Sequence, residues 1–428
     1  MIRVLVFPSC NEPGLEVVHA LLKSNKLAVY GGSSGAAEYD PSAALLKHHL
    51  RCPYLGTAGF ATEFRRQLSE HRIDLVFPTV DSLVAEFSTW SVPGTGFITP
   101  NPETARLFLS KSRTYDRLAK VVAVPEVYPG PAVPFPAYAK PDVGSGGKGH
   151  VLVTGEADLA QARSRNLLIT EYLPGDEFTV DCLNDLSGRL LFANVRLRGQ
   201  IGRGIALGTK GVLQTAIADS VRKIAETVSI EGPWFAQFKL DAAGHPKLLE
   251  VNPRVAGSMT LTRLMGVNIP LASVFLFRGY PLEIPEPVGG VVLNRCLRNL
   301  SVVNDFRWVI WDLDDTLIRK DHKPDPDLMA CLFDFQNRGI RQALVTKNLA
   351  ARALLAKHQI PNFFADICAT DDKLEGLRQL LDRHRIAPAG CIVVNDSFTE
   401  KLALQQAYPE LRIVTPDAVD LMGREKLA

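Results

Sequence analysis

The segment WVIWDLDDT, residues 308–316, sets Asp312 and Asp314 two residues apart at the end of an apolar run. In extended backbone that spacing turns both carboxylates to one side. One carboxylate can attack phosphorus while the other protonates the leaving oxygen, as phosphoryl transfer to a carboxylate requires. A lone DxDD stretch can also be a surface turn, so the later segments carry the argument. ALVTKN offers the hydroxyl of Thr346 to a phosphate, and TDDKLEGL offers Lys373 to neutralise phosphate and attacking carboxylate. CIVVNDSFTE supplies Asp396 with Glu400 one helical turn on, both able to reach a hard cation. These groups follow apolar strands in order, at the ends where parallel sheets place their sites.

A second constellation lies earlier. Residues 138–149, YAKPDVGSGGKG, are followed by HVLVT, a strand, so the glycines form a flap between two strands. This is not the strand–turn–helix of a dinucleotide fingerprint. Bare backbone amides in such a flap can fold over phosphate oxygens, and Lys140 can pair with phosphate as a point charge. ITEYLPGDEFTVDCL places Glu171 at a strand end and Glu177 after the Pro174–Gly175 turn. WFAQFKLDAAGHPKLLEVNPR reads as a hairpin bearing Gln237 on one strand, with Glu250 and Asn252 on one face of the other. These oxygen donors suit a hard cation that shares phosphate oxygens, and Arg254 can neutralise a transferring phosphoryl group. The basic stretch NVRLRGQIGRG, with Arg196, Arg198 and Arg203, fits a loop that binds an anionic substrate and equally a solvated loop.

The elements that hold these groups alternate strand and helix. Ile2–Phe7, 26–30 and 73–78 read as strands, with helices at 14–23 and 62–71, which predicts a small parallel, doubly wound sheet. A helical stretch covers 101–120, and the proline-rich VPEVYPGPAVPFP reads as a linker. From Ala137 to Val251 strands alternate with glycine loops around one helix at 214–229. A second proline-rich stretch, Tyr280–Gly290, marks a boundary, and alternation resumes from Val309.

Composition narrows the class. The 428 residues are 46% apolar and 22% charged with a net charge of +2, which implies two or three soluble domains and no broad attraction to nucleic acid or membranes. No apolar run reaches the length of a membrane span. Seven scattered cysteines with no CxxC pair point away from a disulfide framework or zinc site and towards a reducing cytoplasm.

The order AKPDVGSGGKG, ITEYLPGDE and AQF…LLEVNPR resembles the ATP-grasp superfamily, most closely its carbamoyl-phosphate synthetase large-subunit branch, over residues 1–290. The resemblance implies a parallel-sheet domain at 1–100 and an ATP-grasp α+β domain at 101–290. It implies that Lys111 and Lys140 contact ATP phosphates beneath a loop including Ser145, Gly146 and Gly147. Glu171, Tyr172 and Leu173 would form the adenine hinge and Glu177 a ribose contact. Gln237, Glu250 and Asn252 would hold Mg²⁺, with Arg254 at the reacting phosphate. Ser110 stands where relatives more often carry Asp before the lysine, and Gln237 replaces a common carboxylate.

Residues 305–428 resemble the haloacid dehalogenase superfamily, with a Rossmann-like fold. That resemblance implies Asp312 as nucleophile, Asp314 as general acid/base, and Thr346 and Lys373 as phosphate holders. Asp396 with Asp312 and Asp314 would bind Mg²⁺, while Glu400 stands where Asp is commoner. Neither residues 313–340 nor 347–372 have room for a large cap domain.

Together these features imply a bifunctional biosynthetic enzyme: an ADP-forming carboxylate–amine ligase using an acyl phosphate, beside a magnesium phosphatase using an aspartyl phosphate. Its expected partners are small-molecule carboxylate and amine substrates and a phosphorylated metabolite, with a homodimer as the expected assembly. Two alternatives stay open: a C-terminal domain that only docks, and a nucleotide sensor without ligase chemistry.

Overall fold

The computed structural model describes residues 1–144, 146–202, 204–297, 306–419 and 422. The chain divides into two compact units, Met1–Leu297 and one drawn from Arg298–Leu427.

The first unit opens with a five-stranded sheet. Its strands are β1 (Ile2–Phe7), β2 (Leu27–Ser33), β3 (His48–Arg51), β4 (Leu75–Pro78) and β5 (Gly96–Phe97). They lie in the order β3-β2-β1-β4-β5, all pairs parallel. The order reverses direction between β1 and β4, the switch point at which such sheets open a crevice. Asn11 starts the helix Glu12–Leu21 there, its side chain accepting from the Gly14 amide at 2.7 Å. One helix face and one sheet face share a core of Val4, Val6, Val17, Leu21 and Phe77.

The 101–120 stretch is two helices, Pro102–Leu109 and Lys111–Leu118. Ser110 breaks the run: its backbone is extended, its hydroxyl donates to Asp142 Oδ2 at 2.7 Å and it caps the second helix. The break delivers Lys111 to the start of a helix instead of leaving it on a continuous face.

Two antiparallel sheets follow. β6 (Ala137–Lys140), β7 (Val151–Val153) and β8 (Leu168–Glu171) form a three-stranded sheet ordered β7-β6-β8. A helix at Glu156–Ser164, whose polarity hid it in the sequence, connects β7 to β8. The larger sheet contains β9 (Glu177–Asn184), β10 (Leu190–Gly202), β11 (Ile205–Gly211), β12 (Gly232–Leu240), β13 (Pro246–Asn252) and β14 (Val292–Asn294). Their order is β13-β12-β9-β10-β11-β14. The basic stretch from Asn194, expected as a loop, lies mostly on β10 and leads directly into β11. β14 pairs with β11 beyond the proline-rich stretch at 280–290, so that stretch is an excursion within the first unit and the division falls after Leu297. Between β12 and β13 the register shifts: Gln237 faces Glu250, Phe238 faces Leu248, and Leu249 is the extra residue of a bulge.

The second unit holds β15 (Trp308–Trp311), β16 (Arg341–Thr346), β17 (Asp366–Ala369), β18 (Cys391–Val394) and β19 (Arg412–Val414). The order β17-β16-β15-β18-β19, all parallel, repeats the first sheet's pattern. β15 is central and fully buried, which fits its unbroken apolar sequence. Among the described residues no helix is long and apolar enough to cross a membrane.

Candidate functional site

In the first unit one cavity of about 290 Å³ lies between the small and large antiparallel sheets, and the sequence-read residues meet there. Lys111, Lys140, Gly146 and Gly147 line it, as do Glu171, Tyr172, Leu173 and Glu177. Gln237 and Glu250 close the β12–β13 side. Asn252 lines an adjoining chamber of about 140 Å³, which shares Lys111, Gly144 and Glu250 with the first. Ser145 and Arg203 lie outside the described residues.

Lys140 is buried on β6, and its Nζ donates to the Tyr115 hydroxyl at 2.6 Å. Burial pushes its ammonium down to about 8, against the opposing pull of Glu250. Tyr115 donates in turn to the Leu249 carbonyl at 2.7 Å, the bulged residue of β13. Lys111 donates to the Gly144 carbonyl at 2.8 Å and stands 3.9 Å from Glu250. Both ammonium groups therefore face a cavity with little neutralising charge. Such a surplus is what a polyphosphate needs.

Gly144, Gly146, Gly147 and Gly149 all adopt positive φ, so the flap depends on glycine. It rests against the turn of the β10–β11 hairpin. A Cβ on Gly204 would overlap the Gly146 carbonyl, and one on Gly147 would lie 3.4 Å from the Gly204 Cα. Glu171 is held by Lys247 at 2.5 Å across the cavity edge.

The β12–β13 pair presents Gln237, Glu250 and Asn252 as an oxygen-donor set, and the buried Asn252 Nδ2 has no hydrogen-bond partner. That donor chemistry fits Mg²⁺. Arg254 lines neither cavity. Its guanidinium makes a bidentate pair with Asp81 at 2.7 and 3.0 Å, over the Phe235 ring. Reaching a phosphoryl group would require it to leave Asp81.

The arginine-rich segment corrects the sequence expectation. Arg196 is fully buried and paired with Asp181 at 2.8 and 3.0 Å, while Arg198 is paired with Glu177 and lines the cavity. Carboxylates on neighbouring β9 neutralise both, so neither is a free loop cation. Glu177 correspondingly meets Arg198 before any ribose.

Sequence reasoning missed Asp81, Tyr115, Tyr138 and His150. Tyr138 shares the Lys140 face of β6 by alternation, and its hydroxyl lies 3.2 Å from His150 Nδ1. Burial, with the charges of Lys140 and Lys111, brings His150 down to about 4. Asp81 gave no local signal, because its partner lies 173 residues away.

In the second unit Asp312 leaves the end of β15, buried, with Oδ1 accepting from the Leu313 amide at 2.7 Å. Lys373, capped into place by Asp372, donates to Asp312 Oδ2 at 2.6 Å and to Glu400 Oε2 at 2.5 Å. Burial raises the Asp312 carboxyl above its usual range despite Lys373. Glu400 also binds Lys347 at 2.8 Å and Asn395 at 3.0 Å. Burial would raise its carboxyl, but those donors hold it down to about 2. Thr346 is buried, its Oγ1 accepting from the Asn348 amide at 3.1 Å. The Asn348 side chain donates to Asp314, 3.1 Å from both oxygens. Thr316, in the same turn, keeps a buried hydroxyl without a partner.

The expected Asp312, Asp314 and Asp396 metal set is not gathered here. Among the described residues no three His, Cys, Asp or Glu side chains lie close enough to hold a cation. Asp312 is drawn to Lys373 and Asp314 to Asn348, while Asp396 sits half-buried past the end of β18. Glu400 acts here as an anchor for two lysines.

Comparison with known proteins bears on the first unit. A family model described as "ATP-grasp in the biosynthetic pathway with Ter operon" matches residues 163–295. The arginine-specific carbamoyl phosphate synthase large chain of Bacillus subtilis is 30% identical over 161 residues, 33% of this chain and 15% of that protein. Carnosine synthase 1 of Gallus gallus is 30% identical over 187 residues, 36% of this chain and 20% of its own length. The chain thus spans a fifth or less of these curated relatives. Among solved structures, N5-carboxyaminoimidazole synthetase of Staphylococcus aureus, complexed with ADP, superposes with a TM-score of 0.55. It has 14% identity and covers 69% of this chain and 82% of its own. An L-amino acid ligase from Bacillus licheniformis gives 0.52 at 18% identity, over 66% and 75%. The chain is thus similar to that ATP-grasp family over residues 163–295 and shares the fold of the N5-carboxyaminoimidazole synthetase over 69% of its length.

Proposed function

We propose that the chain is a bifunctional biosynthetic enzyme, a carboxylate–amine ligase similar to ATP-grasp proteins joined to a phosphatase. The ligase head uses ATP and Mg²⁺. The observation that carries this half is the single cavity joining Lys111, Lys140 and the glycine flap to Gln237 and Glu250. A substrate carboxylate attacks the γ-phosphorus, ADP departs, and an amine displaces phosphate from the acyl phosphate. Lys111 and Lys140 offset charge on the phosphates, the flap covers them, and the 140 Å³ chamber beside Asn252 receives the reacting carboxylate. Gln237, Glu250 and Asn252 hold the magnesium, which supplies positive charge to the phosphate oxygens.

In the phosphatase head Asp312 attacks phosphorus, Asp314 protonates the leaving oxygen, and Thr346 and Lys373 hold the phosphate. The direct contact of Asp312 with Lys373 supports this reading. The deciding experiment follows ADP release across a panel of amino acids paired with small carboxylates. ADP formed only with the right pair is expected. No substrate-dependent ADP from a protein that binds ATP would leave a nucleotide sensor.

A further inference from the structure

The chamber of about 140 Å³ beside Asn252 has a lining of its own, distinct from that of the larger cavity it adjoins. Val80 and Asp81 form one wall, just past the end of β4. That is the switch point between β1 and β4, where a sheet of this order opens its crevice. Phe108 and Leu109, at the end of the helix Pro102–Leu109, join Val80 and Val143 as an apolar surface. Lys111 and Glu250 line chamber and cavity alike and mark where the two meet.

Two polar groups of the chamber have hydrogen-bonding capacity that the protein leaves unused. Asn252 is buried, and its Nδ2 has no partner. A buried N–H is costly to leave unpaired, so a ligand acceptor is wanted there. Each Asp81 oxygen accepts one bond from Arg254, and a carboxylate oxygen can accept two. The carboxylate to be phosphorylated belongs at the Lys111 and Asn252 end, beside the cavity with the phosphate lysines. The rest of the molecule then runs towards Asp81 and the apolar surface. Among the described residues lining the chamber Lys111 is the one cation, and the reacting carboxylate takes it. A second anionic group would face Asp81 or hydrocarbon.

We infer that the chamber takes an α-amino acid with an aliphatic side chain as the carboxylate that is phosphorylated. Its carboxylate pairs with Lys111 and accepts from Asn252 Nδ2, and its ammonium donates to Asp81. Its side chain lies on Val80, Phe108, Leu109 and Val143. The inference rests on the ligase reading and names the substrate class of that site. In the reaction a carboxylate oxygen bonds to the γ-phosphorus as the bond to the leaving ADP oxygen breaks. The amine nitrogen then bonds to the acyl carbon, inorganic phosphate leaves, and an N–H proton passes to solvent.

Hydroxylamine can stand in for the amine, so the test measures hydroxamate formed by the full chain with ATP and Mg²⁺. The acids offered are the common amino acids and a set of short mono- and dicarboxylates. Leucine should exceed both glutamate and 4-methylpentanoate, its analogue without the ammonium, by about tenfold or more in kcat/KM. Leu109→Arg should cut the leucine-to-glutamate ratio about tenfold or more, mainly through KM, while the calorimetric Kd for ATP is unchanged. Val143→Arg, at a position 56% exposed, repeats the test where the helix variant fails to fold. Equal kcat/KM for leucine and either comparison acid, or a ratio that neither variant moves, overturns the chamber's assignment alone. Hydroxamate formed only from other carboxylates does the same. No hydroxamate from any acid, by a protein that binds ATP, overturns the ligase reading and the assignment with it.

Discussion

The two sites handle the charge of their lysines in opposite ways. In the first unit's cavity Lys140 meets a tyrosine hydroxyl and Lys111 a backbone carbonyl, with Glu250 3.9 Å from Lys111. In the second unit Lys373 is clasped by Asp312 and Glu400, and Lys347 by Glu400. The first site carries uncompensated positive charge and is poised for a polyanion. The second is already neutral, so an incoming phosphate must exchange partners within an existing ion-pair network. Burial explains both. It depresses the isolated lysine towards neutrality and raises the isolated aspartate, and only in the second site is a counter-charge built in.

The largest expected effect would break the comparison at its covalent step. Asp312→Asn should lower phosphate release from p-nitrophenyl phosphate by about a thousandfold or more. Release at the wild-type rate would leave no aspartyl phosphate in the scheme.

Next, Lys140→Met should weaken ATP binding about a hundredfold by calorimetry, the loss of a charge-assisted contact in a buried site. Because the free ammonium titrates near 8, wild-type ATP affinity should fall about tenfold between pH 7 and pH 9. The variant should show no such slope. The sign for stability is the reverse. With a folded value near 8 against an ordinary 10.5, the unfolded chain binds more protons between those limits, so the nucleotide-free protein gains stability across that window. A flat stability profile there would remove Lys140 from the uncompensated class.

Asp81→Asn should cost about 3 kcal/mol in urea unfolding, since it strands the buried Arg254 guanidinium. A loss below about 0.5 kcal/mol would mean that Arg254 readily finds another partner. The smallest effect is expected for Gly204→Ala. Its positive φ and the approach of the Gly146 carbonyl force the flap aside, raising the KM for ATP about fivefold while protein stability changes by about 1 kcal/mol.

Much of this was legible in local sequence because the groups are carried by short periodic elements. Strand alternation puts Glu250 and Asn252 on one face, and the apolar run of β15 ends at Asp312, where the structure has it. What was illegible depends on contacts distant in the chain. Arg196 and Arg198 read as a basic loop because Asp181 and Glu177, their neutralising partners, sit on the adjacent strand. The short edge strand β14 lies past a proline-rich stretch, where no periodicity can announce its pairing with β11. The helix Glu156–Ser164 buries only Leu159 and Ala162, too little to imprint an apolar stripe. Asp81 and Tyr115 take their importance from partners found only after folding.

The extra residue at Leu249 makes the first unit's site a matter of counting as well as chemistry. Its carbonyl, displaced from the regular ladder, anchors Tyr115, and Tyr115 holds Lys140. Deleting Leu249 would return β13 to regular pairing, with Glu250 still opposite Gln237. The same deletion would remove the carbonyl that, through Tyr115, fixes Lys140. Side chains at this strand can therefore drift in evolution more freely than its length can, and an insertion or deletion between Pro246 and Glu250 should be tolerated far less than substitutions at the same positions.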